Sequence, residues 1–441
     1  MGRFFALTAP LCAVLALQPG PLRAQSAAAP DLPVTSAINR EMPRWLVLGG
    51  EYRARFDGYT SGKFSDGIDE HYFLNRLRLN LAVKPTGWMR FVFQGQDSRI
   101  FGAIRTPSAP PYQDRLDLRL GYAEFGRGPE GPVSVTVGRQ DLNFGEKRIL
   151  GDANWRNVPT AFDAVRLTLR HGAYRLDGFS ASAVAAKDER FNHSALDNTI
   201  HGLYGTFPVA AWKSMFDAYL LYRIAPLQAT ESGALARLHS ETAGFRWTAA
   251  LPAEFEYSSE VALQRGTTGG EPLGAWAGHW VVKRPLPGLP GIKAVAEYNY
   301  ASGDDDPRDG RRGTFDQLYA ANHDKYGMAD LIGWRNLHHA RTAAETKLAR
   351  QWTAICAYNS FWLASPRDGV YSAAGVLVYR SADGSAGRHV GTELDVQALW
   401  TMSPYAQFGF GFAHVFPGGF LKHVTPGASY NSPFITLTTA F

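Results

Sequence analysis

Leu46-Val47-Leu48-Gly49-Gly50-Glu51-Tyr52-Arg53-Ala54-Arg55-Phe56-Asp57 decides the reading of this chain. Leu46, Leu48, Gly50, Tyr52, Ala54 and Phe56 fall on one phase, and Glu51, Arg53, Arg55 and Asp57 on the other. Strand side chains alternate between faces, so the segment has one apolar and one charged side. The next stretch repeats the pattern, with Leu77, Leu79, Leu81 and Val83 against Arg76, Arg78, Asn80 and Lys84. A soluble sandwich would alternate in the same way. Two features favour a transmembrane barrel. Segments of roughly nine to eleven residues recur along the chain, the length a tilted strand needs to cross a bilayer. Short and long connections also alternate.

The short connections fall at 84–87, 126–131, 171–173, 208–211, 251–253, 285–291 and 402–404. Long ones separate them at 100–111, 140–160, 185–198, 224–238 and 302–336. Short turns on one rim and long loops on the other are how outer-membrane barrels are built. Counting segments from Arg44 to the end gives about eighteen antiparallel strands, an even number as closure requires. Closure leaves no strand edge, so every backbone amide in the lipid has a partner. Val396 to Leu421 carries no Asp, Glu, Lys or Arg, yet Pro404, Pro417 and Gly409, Gly411, Gly418 and Gly419 break any helix. Phe408, Phe410 and Phe412 there alternate as lipid-facing residues should. The final Phe434-Ile435-Thr436-Leu437-Thr438-Thr439-Ala440-Phe441 alternates and ends on an aromatic, similar to the assembly signal of outer-membrane proteins.

Composition agrees with an all-β chain. The 441 residues hold 45 Gly and 13% aromatics, which suits many tight turns. A formal charge of +5 is too small and dispersed for nucleic-acid binding. Residues 1–24 read as a signal peptide: Arg3, an apolar run from Phe4 to Leu17, and Leu22-Arg23-Ala24 before Gln25. That run is shorter than the roughly twenty residues of a spanning helix. Removing it takes away Arg3 and Arg23, so the charge falls from +5 to +3, and Cys356 remains without a disulfide partner. Residues 25–43 form a leader and 44–441 the barrel, which places the protein in the outer membrane of a double-membraned cell.

Longer blocks carry a resemblance. Thr136-Val137-Gly138-Arg139-Gln140-Asp141-Leu142-Asn143-Phe144-Gly145-Glu146-Lys147-Arg148-Ile149-Leu150-Gly151, then Trp155 and Phe162-Asp163-Ala164-Val165-Arg166, are similar to the alginate export family of outer-membrane barrels. So are Ser302-Gly303-Asp304-Asp305-Asp306, Phe315-Asp316-Gln317-Leu318-Tyr319 and Asn322-His323-Asp324-Lys325-Tyr326-Gly327. Phe361-Trp362-Leu363-Ala364, Asp368, Tyr371 and Gly391-Thr392-Glu393-Leu394-Asp395 complete the match, in order, over nearly the whole mature chain. The resemblance implies an eighteen-stranded barrel with a basic lumen narrowed by inward-folded loops.

An anionic uronate polymer needs cationic handholds, and guanidinium holds a carboxylate through two parallel hydrogen bonds. Thirty-five of the 45 basic residues are Arg, although a GC-rich genome would give the same bias. Arg53, Arg55, Arg76, Arg78, Arg90, Arg119 and Arg166 fall on the polar phase. Lumenal placement is their physical default, since a charge facing lipid at the midplane costs about 2–4 kcal/mol. They would meet substrate or pair with Glu51, Asp57, Asp117 and Glu256. Glu254, Glu256 and Glu260 keep the lumen from being uniformly basic. Arg139 conflicts with this scheme, because it follows Val133, Val135 and Val137 on the lipid phase. Either the strand ends at Gly138, bulges there, or reaches the headgroups. The loop that follows holds Glu146, Lys147, Arg148, Asp152 and Arg156 and is a candidate constriction whose mixed charge would set a transverse field. The candidate translocation set is thus Arg53, Arg55, Arg76, Arg78, Arg90, Arg119, Arg139, Arg148, Asp152, Arg156, Asp163 and Arg166.

Asp304, Asp305, Asp306 and Asp309 offer oxygen ligands for Ca²⁺ without the EF-hand spacing or its final Glu. Solvation, or pairing with Arg308, Arg311 and Arg312, is the simpler reading. His338 and His339 would face opposite sides of a strand, so no zinc site is expected, and no cofactor is implied. Gly-x-Ser-x-Gly is absent, and nothing marks an enzyme. The leading function is passage of an acidic, alginate-like polysaccharide or oligosaccharide. The alternatives are a porin for small anions or sugars, used for uptake, and a barrel hydrolase. Expected partners are the acidic polymer or a small anionic solute, outer-membrane lipid and lipopolysaccharide, the barrel-assembly machinery and a periplasmic polysaccharide-secretion protein. Apolar residues are expected to face lipid with no interior core, and Trp276, Trp280, Tyr298 and Tyr300 to form an aromatic girdle.

Overall fold

The computed structural model describes residues 35–127, 131–210, 213–231 and 233–441. The expected signal peptide and the first part of the leader lie outside them. The rest of the leader includes a short helix, Thr35–Glu41, whose Asn39 side chain exchanges two hydrogen bonds of 2.8 Å with the backbone of Leu48 on the first strand.

Eighteen strands form one antiparallel sheet that closes on itself. The first strand, Leu46–Tyr59, pairs with the second, Glu70–Thr86, from Leu46↔Val83 to Tyr59↔Glu70. It also pairs with the last, Tyr430–Ala440, from Glu51↔Ala440 to Asp57↔Phe434. Gly50 completes this seam. Its N–H donates to the Phe441 carbonyl at 2.7 Å and its carbonyl accepts from Phe441 N–H at 3.0 Å. The Phe441 ring lies where a Cβ on residue 50 would stand, 2.2 Å away, so the close approach requires glycine.

The alternation sorts side chains as expected. Leu79, Phe93, Val165, Leu203 and Leu263 are exposed on the outer wall, whereas Arg53, Arg76, Arg78, Gln94 and Gln96 are buried on the inner one. Trp276 packs on Tyr300 at 4.3 Å and Trp280 on Tyr298 at 6.0 Å on the outer face. Three connections differ from expectation. Ser214–Ala229 and Leu235–Leu251 continue through the span expected as a loop at 224–238, because its alternating residues extend the hairpin. Long connections absent from the expectation run over 363–388, with a hairpin pairing Gly369–Tyr371 and Leu377–Arg380, and over 418–429. The latter holds a six-residue helix, Gly419–Val424, in a stretch read as helix-free; its glycines sit at the helix start, where they do not interrupt a turn.

The largest correction concerns the interior. Leu142, Phe144, Ile149 and Leu150 pack with Phe315, Tyr326, Met328, Ile332 and Trp334 as a buried apolar cluster inside the barrel. Wall residues Phe162, Ala262, Ala277, Ala301 and Ala413 complete it. The apolar face toward lipid is therefore matched by a second core, built where loops 141–161 and 302–336 fold into the bore. Strand alternation reports only the wall, so the sequence pattern carried no sign of it.

Candidate functional site

Loop 141–161 crosses the bore. At one end Glu146 accepts from Ser258 Oγ at 2.6 Å and faces Arg246 at 3.4 Å and His279 Nε2 at 3.6 Å. Arg148 reaches Glu297 at 3.1 Å and Tyr326 Oη at 3.3 Å. At the other end the arginines of the first two strands hold the loop backbone. Arg53 donates to the carbonyls of Asn154 and Arg156, each at 3.1 Å, and Arg76 to the same pair at 2.9 and 3.1 Å. Arg55 donates to the Trp155 carbonyl at 2.6 Å, and Arg78 to Asn154 Oδ1 at 2.9 Å. Asn157 completes the anchor by donating to the carbonyls of Asn75, Arg99 and Tyr112. Burial raises the Glu146 carboxyl, but His279, Arg148 and Arg246 outweigh it and hold it far below the usual carboxylate range. Asp152 is likewise held low, with Lys147 at 2.8 Å overcoming burial.

Loop 302–336 meets this bar in the lumen. Tyr319 N–H donates to Ile149 O at 3.1 Å and Gly151 N–H to Tyr319 O at 3.0 Å, a short parallel bridge between the two loops. Asp316 pairs with Arg223 on the wall at 2.5 Å, and its N–H donates to Gln264 at 2.8 Å. Ala329 N–H donates to Glu393 at 2.8 Å, on the far side. Asn336 ties the base of the loop to the 363–388 connection through Ser365 and Gly369.

The sequence-derived residues thus divide. Arg53, Arg55, Arg76, Arg78, Arg148, Asp152 and Arg156 come together around loop 141–161, although Arg156 enters through its carbonyl. Several of the cations are paired: Arg76 with Glu51 at 2.7 Å, Arg55 with Asp57 at 2.8 Å and Arg119 with Asp141 at 2.7 Å. Arg90 stands apart near the periplasmic turn, 3.7 Å from Glu124. Arg139 and Asp163 do not face the lumen. Their strands, Val133–Gln140 and Phe162–His171, stay in register (Arg139↔Asp163), so both remain on the outward phase. The conflict is settled by cover: Arg139 binds Asp163 at 2.9 Å and donates to Asn192 O at 3.0 Å, beneath the 186–192 connection. Neither the end of the strand nor a break in register is the answer.

Residues outside the candidate set include Glu146 as the hub, Asn154 and Asn157 as anchors, and Asp316 and Glu297. The inward phase would have flagged Glu297; no signal short of the folded loop marks the asparagines. Asp304 accepts from Asp306 N–H at 3.2 Å and Gly313 N–H at 3.3 Å, and Asp309 from Arg311 N–H at 2.8 Å. Among the described residues no three His, Cys, Asp or Glu are grouped as a metal ion would need.

On the wall next to the bar lies a chamber of about 200 Å³. Arg166, Arg170 and Arg175 line it with Tyr122, Ser134, Thr136 and Thr168, and Glu124 and Asp141 add negative charge. Asp177 holds Arg166 at 2.8 Å and Arg175 at 2.7 Å. Arg170 has only Ser134 Oγ, at 3.4 Å, among the described side chains.

Comparison with known proteins fits this architecture. The family model described as alginate export matches residues 44–434. No curated protein matches in sequence. Among crystal structures, OpdQ of Pseudomonas aeruginosa superposes with a TM-score of 0.61 at 10% identity, covering 91% of this chain and 99% of that one. OccAB2 of Acinetobacter baumannii gives 0.60 at 9% identity, covering 89% and 98%. OccK11 (OpdR) of Pseudomonas aeruginosa gives 0.57 at 12% identity, covering 90% and 96%. At these identities the likeness is one of fold. The closed eighteen-stranded wall, its lipid-facing apolar phase and the family match together make this chain a member of the alginate export family, an outer-membrane β-barrel channel.

Proposed function

We propose that the barrel passes an anionic, uronate-type polysaccharide or oligosaccharide across the outer membrane, with loops 141–161 and 302–336 as its constriction. The observation that carries this reading is the chamber beside the bar. It has room for about six waters or a sugar unit, hydroxyl groups to meet sugar oxygens, and in Arg170 a guanidinium that makes no direct ion pair among the described residues. A carboxylate arriving there can form the paired hydrogen bonds that guanidinium favours. The bar's own arginines act differently: they fix the loop, and through it the width of the path.

A second reading, a channel for small anionic solutes, is favoured by the apolar packing between the two loops, which a polymer would have to displace. Planar-bilayer conductance tests the first reading. The expected result is anion selectivity and a current blocked by uronate oligomers, with Arg170→Gln weakening the block and leaving heat-modifiable gel mobility unchanged. Cation selectivity, or indifference to the oligomers, overturns it. Passage of monomeric uronate without block by longer oligomers selects the second reading.

A further inference from the structure

We propose that the leader is a latch on the barrel seam: Asn39 and Pro43 bond the first strand where its pairing with the last strand stops, and release of the leader bares a strand edge at the short-turn rim. The seam is uneven there. Toward the second strand, the first is paired down to Leu46↔Val83, and one rung further the Lys84 N–H donates to Trp45 O at 2.6 Å. Toward the last strand, the ladder ends at Glu51↔Ala440 and the exchange between Gly50 and Phe441. Among the described residues, 45–49 therefore have a strand neighbour on one side alone.

In an antiparallel ladder every second residue turns its N–H and C=O toward the same neighbour. Gly50 turns both toward Phe441, so Leu48 and Leu46 turn theirs to the side on which that ladder has ended. The leader meets them there. Leu48 N–H donates to Asn39 Oδ1 and Asn39 Nδ2 donates to Leu48 O, each at 2.8 Å. Leu46 N–H donates to Pro43 O, also at 2.8 Å. The Asn39 side chain thus acts as a residue of a hydrogen-bonded strand pair does, exchanging both bonds with the residue opposite. A carboxamide suits this task because it carries a donor and an acceptor together, like a peptide group. With the leader detached, these backbone groups form the unpaired row that a bare edge offers to another strand.

The latch is built to release. The helix Thr35–Glu41 has seven residues, and a helix that short is marginal in water unless it is packed against something. Thr35 and Ser36 are its buried residues, whereas Ala37, Ile38, Arg40 and Glu41 are exposed. Within the leader, Met42 N–H donates to Ile38 O at 3.2 Å and Arg40 Nε to Ser36 O at 3.3 Å. Among the described residues, the hydrogen bonds from leader to barrel are those of Asn39 and Pro43. Segments with few buried contacts open at lower free energy than the strands beside them. The rim end of the seam is thus held by a weaker element than the rest of the wall, and it opens while the ladder above Gly50 stays closed.

Amide hydrogen exchange on the full barrel in detergent, resolved to single residues, tests the latch. Asn39→Ala should speed exchange at Leu48 about tenfold, as the loss of two neutral hydrogen bonds implies. Ala54, higher on the same strand, should keep its rate, and heat-modifiable mobility should be unchanged. Asn39→Asp, which keeps the acceptor and loses the donor, should fall between wild type and Asn39→Ala. Ile38→Ala, on the exposed side of the same helix, should leave Leu48 as in wild type. An unchanged rate at Leu48 in Asn39→Ala overturns the proposal. Equal acceleration at Leu48 and Ala54 overturns it too, because the wall would then be losing stability as a whole rather than opening at its rim. None of these outcomes depends on what passes through the bore.

Discussion

The indole of Trp155 lies flat on the imidazole of His323, with ring centroids 3.8 Å apart and planes 5° from parallel, and this contact joins the two loops inside the barrel. The Arg55 guanidinium covers the indole at 4.1 Å, and Phe434 meets it edge-on at 4.9 Å. His323 is in turn held by Asp330 at 2.7 Å. A wall arginine, one loop and the other loop therefore form a single stack.

Removing the centre of that stack should loosen both loops while sparing the wall. Trp155→Ala forfeits on the order of 3–5 kcal/mol of packing, all of it local to the loop contact. Single-channel recordings should show higher, noisier conductance with unchanged heat-modifiable mobility. An unaltered conductance would mean that the stack does not define the path.

Arg76 and Glu51 should prove inseparable. Arg76→Leu takes from the buried Glu51 its nearer cation, leaving Arg78 at 3.4 Å among the described ion pairs, and removes two hydrogen bonds to the loop carbonyls. Breaking a buried pair in this way costs about 3–5 kcal/mol. Limited trypsin digestion at Lys147, Arg148 and Arg156 should accelerate, and Arg76→Leu/Glu51→Gln should recover part of the protection. Arg78→Leu should also speed digestion, because Arg78 holds Asn154 as well as Gln96.

Leu79 is 57% exposed on the outer wall, toward lipid. Leu79→Arg should cost about 2–4 kcal/mol near the midplane and reduce the folded fraction recovered from membranes. Recovery equal to wild type, scored by gel mobility, would place residue 79 away from the hydrocarbon.

Asp304 gives the 302–336 loop a pH dependence. Burial, reinforced by Glu231 and Asp368, raises its carboxyl to about 6 despite the amides of Gly313 and Asp306. A raised acid is stabilising when protonated, so its contribution is fullest below the unfolded value near 4 and is lost as pH climbs through about 6. The size is about 1–2 kcal/mol after allowance for partial exposure. Protection factors in the loop, corrected for base-catalysed intrinsic exchange, should be higher at pH 5 than at pH 7, and Asp304→Asn should flatten that difference.

The wall was legible in the sequence for a simple reason. Each strand meets two solvents, and a period of two is the only pattern that satisfies both. Leu77, Leu79 and Phe56 show one side of it, Arg53, Arg76 and Arg78 the other. Arg139 and Asp163 escaped that logic because their charges cancel across adjacent strands and a loop covers them, so an outward position became tolerable. The loop interior was not legible. Leu142, Phe144 and Trp334 carry no period, and their burial depends on which wall residues wait opposite.

The sequence by itself determined that the chain closes into a barrel with an apolar exterior, because local alternation suffices to assign each strand residue to lipid or lumen. It also located the loop that crosses the bore. Only the tertiary structure decided what the lumenal arginines do. A guanidinium binds a carbonyl, a carboxylate or a ligand with the same fork. Which one it finds is set by loops a hundred residues away in the chain, such as Asn154 and Arg156 arriving beneath Arg53.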